Sequence, residues 1–210
     1  MPIYLDNNAT TALDPEVKKA MEIDLGPIPF NPSAIHSYGR KAKSLLREAR
    51  QKTASILGAT PSQITFTSSG TEALNWAIKS LSTSHIITTE LEHPAVYNTI
   101  KTIPSEITYL PVTETGAPSP HQIEQAIKPN STIILSAVNG ETGAMINLET
   151  IAHLASSTNT SLIIDGVALL GKGPFTFYPG ITAIAFSAHK FHGPKGTGIL
   201  LSRKKLPPHL

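Results

Sequence analysis

The chain has no cysteine. That excludes disulfides and thiolate metal sites, and it removes the usual redox clue to compartment. Long apolar runs are also missing: nothing approaches the ~20 residues a membrane span needs, and no stretch reads as a signal peptide. The expectation is a cytoplasmic protein without a membrane partner. Excess charge of one sign is absent too. Seventeen Lys and Arg against 15 Asp and Glu leave a formal +2, too little and too evenly spread for a nucleic-acid surface, and Arg203-Lys204-Lys205 reads as a solvated end. There is no internal repeat, no low-complexity stretch and no expected metal site. What remains is 210 residues at 40% hydrophobic content, enough for one domain with a real core.

Asp14-Pro15-Glu16 opens a helix: an acceptor caps it, a proline presets its first turn, and an acid sits at the positive end. Three prolines within Gly26 to Pro32 exclude regular structure there. From Gly39 to Leu57, Ala42, Leu45, Leu46, Ala49 and Ile56 recur at helical spacing before Gly58. Beyond that, seven short β-rich runs are expected at Ile64–Thr67, His85–Thr89, Ile107–Leu110, Thr132–Ala137, Leu162–Ile164, Thr182–Phe186 and Gly198–Ser202. Helical patterns lie between most of them, at Thr71–Leu81, Pro94–Ile103, Pro120–Lys128 and Leu148–Ser156. Alternation of this kind predicts crossover units and an α/β fold with a mainly parallel sheet covered on both faces.

Chemistry gathers where strands end. Lys190 closes Ser187-Ala188-His189-Lys190 after a buried run. A lysine there either reaches a partly dry pocket, where burial frees its amine as a nucleophile of the kind pyridoxal phosphate needs, or stands exposed in a Gly-rich turn. Ser68-Ser69-Gly70-Thr71 lies between a strand and a helix, which suits either a phosphate or an ordinary cap. Asp165 ends the apolar Ser161–Ile164 run. It either meets a cation, such as a protonated pyridine nitrogen, or turns the chain at Gly166. His93 precedes Pro94 at a helix start. Gly166 to Gly173 nearly spells a nucleotide-binding loop, but Gly173 replaces the metal-binding hydroxyl and Pro174 follows where a helix should begin.

The opening Tyr4-Leu5-Asp6-Asn7-Asn8-Ala9-Thr10-Thr11 resembles that of the class V aminotransferases, in particular their cysteine desulfurase branch. Four further segments fit in the same order: Asn31-Pro32-Ser33 with His36 and Gly39, Phe66 to Glu72, Glu92 to Val96, and Ser187 to Gly198. Together they cover residues 3 to about 203. The resemblance implies a fold-type I pyridoxal phosphate enzyme. Its N-terminal arm would be residues 1–14, and its cofactor-binding large domain, with a seven-stranded sheet, residues 15–210. It implies Gly70, Thr71, Ser187 and His189 on the cofactor phosphate, Asp165 on the ring nitrogen, His93 stacked over the ring, and Lys190 as the cofactor-bearing lysine, with Lys190 and His93 as catalytic residues. The implied reaction takes L-cysteine to L-alanine and a persulfide for iron–sulfur cluster or thio-cofactor synthesis. A homodimer and a sulfur-acceptor or iron–sulfur scaffold protein are the implied partners.

Two departures stand out. The family's Val-Asn-Asn-Glu is Val138-Asn139-Gly140-Glu141 here, and its Asp-Ala-Val-Gln is Asp165-Gly166-Val167-Ala168. The resemblance places the family's small C-terminal domain, with its reactive cysteine and a substrate-clamping arginine, outside the matched region. The expectation is therefore the amino-terminal half of such an enzyme, incomplete for turnover by itself. Another class V lyase or transaminase, and a non-catalytic remnant or interaction protein, are the alternatives.

Overall fold

A computed structural model describes residues 3–26 and 29–207. Pro27 and Ile28, within the proline-rich stretch expected to be irregular, lie outside the described residues. Seven strands form one sheet: β1 (Ile64–Thr67), β2 (His85–Thr88), β3 (Glu106–Tyr109), β4 (Ser131–Ser136), β5 (Ser161–Asp165), β6 (Ala183–Ser187) and β7 (Gly198–Ser202), in the spatial order β1-β7-β6-β5-β4-β2-β3. The four ladders from β6 to β3 are parallel, and β7 runs against both β6 and β1. The sheet is mainly parallel, as expected. Because β7 alone is reversed, the C-terminal ends of β1, β2, β4, β5 and β6 all reach the same edge.

Successive side chains along a strand point to opposite faces. Ile87, Ile133, Leu162, Ile164, Ile184, Phe186 and Leu201 join one apolar layer, while Ile86, Ile134, Ile163, Ala183, Ala185 and Leu200 join the other. The first layer packs with Ile123 of helix α5 (Pro120–Ala126) and Ile151 of α6 (Leu148–Ser157). The second packs with Leu74 and Ile78 of α3 (Gly70–Lys79) and Val96 and Ile100 of α4 (Pro94–Ile100). Each fully buried Leu or Ile contributes roughly 1.5–3 kcal/mol. The central strands are held from both sides.

Ahead of the sheet come α1 (Pro15–Asp24) and α2 (Ser37–Ile56). Asp14 Oδ1 accepts from Glu16 N at 2.7 Å and Val17 N at 3.3 Å, the expected cap. Helix α2 starts two residues earlier than its apolar spacing indicates, because His36 Nδ1 accepts from Gly39 N at 3.3 Å and caps it. Helix α4 stops three residues short of its sequence pattern, which reached Ile103, and α5 two short of its own, which reached Lys128. No helix among the described residues is long and apolar enough to cross a membrane.

Candidate active site

A cavity of about 310 Å³ opens at the shared edge of the strands, and all seven residues singled out from sequence line it. Each arrives by a local rule. Ser69, after β1, caps α3 by accepting from Glu72 N at 3.1 Å, and Glu72 Oε2 in turn accepts from Ser68 N and Oγ at 2.6 and 2.5 Å. This reciprocal clamp presents Gly70 and Thr71 at the helix N-terminus. Gly70 has to be small: a Cβ there would lie 2.6 Å from Val167 Cγ2. A second glycine, Gly198, lets the Ser69 turn fold over the start of β7, where a Cβ would sit 2.4 Å from the Ser69 carbonyl carbon.

Asp165 is 6% exposed at the end of β5. Its Oδ1 accepts from Val167 N at 3.0 Å, and no bond to its other oxygen is formed among the described residues, so that oxygen is left to the cavity. Burial pushes the Asp165 carboxyl above its ordinary range, while the Val167 N–H, His93 and Lys190 pull the other way. His93 stands at the open side of the cavity and caps α4, its Nδ1 accepting from Ala95 N at 3.1 Å.

Ser187 ends β6, and Ala188–Lys190 form a 3-10 turn that brings His189 and Lys190 round to the same space. Burial lowers the His189 pKa, and the charges of Lys190 and Lys195 act in the same direction. Lys190 is half-buried and not the freely exposed turn residue of the alternative reading. Its Nζ donates to the Asn8 carbonyl at 2.7 Å.

Asn8 is a residue the sequence reading missed. Its Oδ1 accepts from Lys172 Nζ at 2.7 Å, and its Nδ2 donates to the Gly140 carbonyl. One N-terminal side chain and its carbonyl thus join the loops after β4, β5 and β6. The arm continues along the Lys190 turn: Thr11 N donates to the His189 carbonyl at 2.8 Å, and His189 Nδ1 lies 3.0 Å from Thr10 Oγ1. The near-nucleotide loop acquires a place in this scheme, since Val167 and Ala168 line the cavity and Lys172 holds Asn8. Glu92 was quoted only as part of a motif, yet it is buried at the cavity wall. Its neighbour His93 carried the only visible signal.

The chemistry of these donors matches a phosphorylated, cationic aromatic ring. The N–H groups of Gly70 and Thr71 have no partner among the described residues, which is what an anion at a helix N-terminus requires. A buried carboxylate with a free oxygen requires a cation, and a primary amine lies across the same cavity. Pyridoxal phosphate fits all three. Among the described residues no His, Asp and Glu cluster suits a metal ion.

The aminotransferase class-V family model matches residues 3–210. The cysteine desulfurase of Trichormus azollae is 37% identical over 212 residues, covering 96% of this chain and 53% of that one. The cysteine desulfurase IscS of Dictyoglomus turgidum is 38% identical, covering 99% of this chain and 55% of its own length. Among solved structures, a NifS-like protein superposes with a TM-score of 0.93 at 35% identity, over 99% of this chain and 60% of that one. SspA in complex with cysteine superposes at 0.92 and 31% identity, over 100% and 65%. The chain spans about half the length of the curated relatives it matches.

Proposed function

We propose that this chain, which belongs to the class-V aminotransferase family, carries the cofactor-binding half of a pyridoxal phosphate-dependent cysteine desulfurase. The observation behind this reading is the convergence of Asp165, His93 and Lys190 on one cavity beside the capped start of α3. Gly70, Thr71, Ser187 and His189 would hold the phosphate. Asp165 would pair with the ring nitrogen through its free oxygen, and His93 would cover the ring. Lys190 would hold the cofactor's aldehyde carbon through Nζ and then carry a proton at that atom. The group, when bound, supplies an electron sink for charge developing on an amino acid.

The substrate proposed is L-cysteine, the ligand named for the similar SspA structure. The products would be L-alanine and a persulfide sulfur for iron–sulfur cluster or thio-cofactor synthesis. A cysteine-free chain would need its sulfur-accepting thiol from outside these 210 residues. A homodimer, a sulfur-acceptor protein and a cytoplasmic location complete the proposal.

Borohydride reduction after mixing with pyridoxal phosphate tests the cofactor site. Mass spectrometry should find the reduced label on Lys190, and Lys190→Ala should abolish it. A label spread over surface lysines, or one undiminished in Lys190→Ala, would defeat the assignment.

A further inference from the structure

The candidate site has a second buried carboxyl, and the cofactor reading gives it no task. Glu92 is 9% exposed. Its Oε1 accepts from Thr89 Oγ1 at 2.8 Å, and its Oε2 accepts from Ser136 N at 2.8 Å and Ser136 Oγ at 2.5 Å. Thr89 follows β2 and Ser136 closes β4, so one side chain ties together the ends of two adjacent strands. A second tie runs alongside it, with Asn139 Nδ2 donating to the Leu91 carbonyl at 2.8 Å. Ser136 stands opposite Asp165 in the β4–β5 register. Glu92 is thus next to His93 in the chain and one residue pair away from Asp165 across the sheet.

We propose that Glu92 is a positioning residue: it fastens the loop bearing His93 to the end of β4, and so sets His93 over the ring whose nitrogen Asp165 would meet. The inference rests on the reading of this cavity as a cofactor site.

The electrostatics agree with a structural tie. Burial pushes the Glu92 carboxyl up, its hydrogen bonds from Ser136 and Thr89 oppose this, and the charge of Asp165 adds to the rise. Two neighbouring buried carboxyls ionise together only at high cost. His93 and Lys190 oppose the rise at Asp165, and at Glu92 only the hydrogen bonds from Ser136 and Thr89 do so. Glutamine keeps the shape of that side chain without its charge. It retains an acceptor for Ser136 and a polar atom for Thr89. Alanine removes all three bonds and strands a backbone N–H.

The test uses pyridoxal phosphate as the probe and reads three quantities: the dissociation constant, the induced circular dichroism per bound cofactor, and the melting temperature. Glu92→Ala should weaken binding about tenfold, as expected for a buried group losing its partners, and should diminish the ellipticity per bound cofactor. Ser136→Ala should move both the same way by less, while Glu92→Gln should stay within about twofold of the parent. A merely structural role would lower the melting temperature and leave the ellipticity per bound cofactor unchanged. Parent-like affinity and ellipticity in Glu92→Ala overturns the inference, as does a Glu92→Gln variant as impaired as one lacking the side chain. If Glu92→Ala does not fold, parent-like affinity and ellipticity in Ser136→Ala, or an impaired Glu92→Gln, overturns the inference instead. A parent chain that binds no cofactor overturns the proposed function and this inference together. A parent that binds beside an indifferent Glu92→Ala overturns the inference alone.

Discussion

Strands β4 to β6 bring Ser136, Asp165 and Ser187 to the cavity from between two apolar layers, whereas Asn8 and Ala9 reach it from a segment with almost no buried surface. Helix α1 buries no residue, and of the 20 residues of α2 only Gly39, Ala42 and Ala54 are buried. Ile3, Leu5, Ile23, Leu25 and Ile35 are all more than 70% exposed. The attachment of the arm is polar instead, through Asn8, Thr10, Thr11 and Asp14 to the Lys190 turn and its neighbours. Packing fixes the floor of the site. Hydrogen bonds fix its rim, and the two should respond to different perturbations.

The largest contrast concerns stability. Phe186 is fully buried, packs close to Gly166 and meets Phe175 edge-on at 5.3 Å between centroids. Phe186→Ala should cost about 3–5 kcal/mol in urea unfolding, the usual range for an aromatic cavity. Ile23→Ala in α1 should cost under about 0.5 kcal/mol. An equal cost at both positions would show that α1 is packed in solution and would break the contrast.

Proton linkage should follow the floor and ignore the rim. Asp165 and Glu92 both titrate above their ordinary range because they are buried. A raised carboxyl favours the folded state while protonated. Its contribution is fully present below the unfolded pKa and is lost as pH rises through the folded one. The cofactor-free chain should therefore lose stability as pH climbs from the ordinary carboxylate range, and Asp165→Asn or Glu92→Gln should flatten that fall. Asn8→Ala should leave the slope untouched. A slope identical in all four proteins would assign the linkage to other groups.

Asn8→Ala should act where the floor variants do not. It removes the bonds to Lys172 and Gly140, each worth about 0.5–1.5 kcal/mol net, while the backbone carbonyl that receives Lys190 remains. Protease cleavage between Asp6 and Asp14 should accelerate several-fold with the urea midpoint nearly unchanged. A midpoint shift as large as that of Phe186→Ala would place the arm within the cooperative core.

How much of this was legible beforehand depends on the distance a signal has to travel. The strand at Ile64–Thr67 and the one at Gly198–Ser202 could be bounded to the residue, because apolar runs meet Gly, Ser and Pro at both ends. Periodicity carries no direction, so nothing marked β7 as the reversed strand. Asn8 meets Lys172 across 164 positions, and no local pattern announces such a pairing. Glu92 entered only as part of the segment it shares with His93. Its burial depends on Ser136, 44 residues on. The family resemblance supplied the candidate cofactor residues, whereas their ties to one another became visible only once the loops were placed together.

The finest test concerns the two positions that depart from the family pattern, because they lie on opposite sides of the floor–rim division. Gly140 is exposed on the rim, and a Cβ built there meets nothing within 4 Å, so an asparagine enters without displacing its neighbours. The carbonyl of Gly140 that receives Asn8 Nδ2 belongs to the backbone and survives the substitution. Ala168 is 9% exposed and belongs to the floor. A glutamine there extends into the cavity that Ala168 lines. Each substitution restores one hydrogen-bonding side chain, worth about 0.5–1.5 kcal/mol when its bond to the cofactor forms. Gly140→Asn should therefore tighten pyridoxal phosphate retention during dialysis with no change in unfolding midpoint. Ala168→Gln should tighten retention at a small cost to the cofactor-free protein, since its amide otherwise sits in a partly apolar wall. The double variant should approach the sum of the two, because the positions lie on separate loops. If neither variant holds the cofactor longer than the parent, these loops do not face the ring, and the alignment of both with the family pattern is wrong.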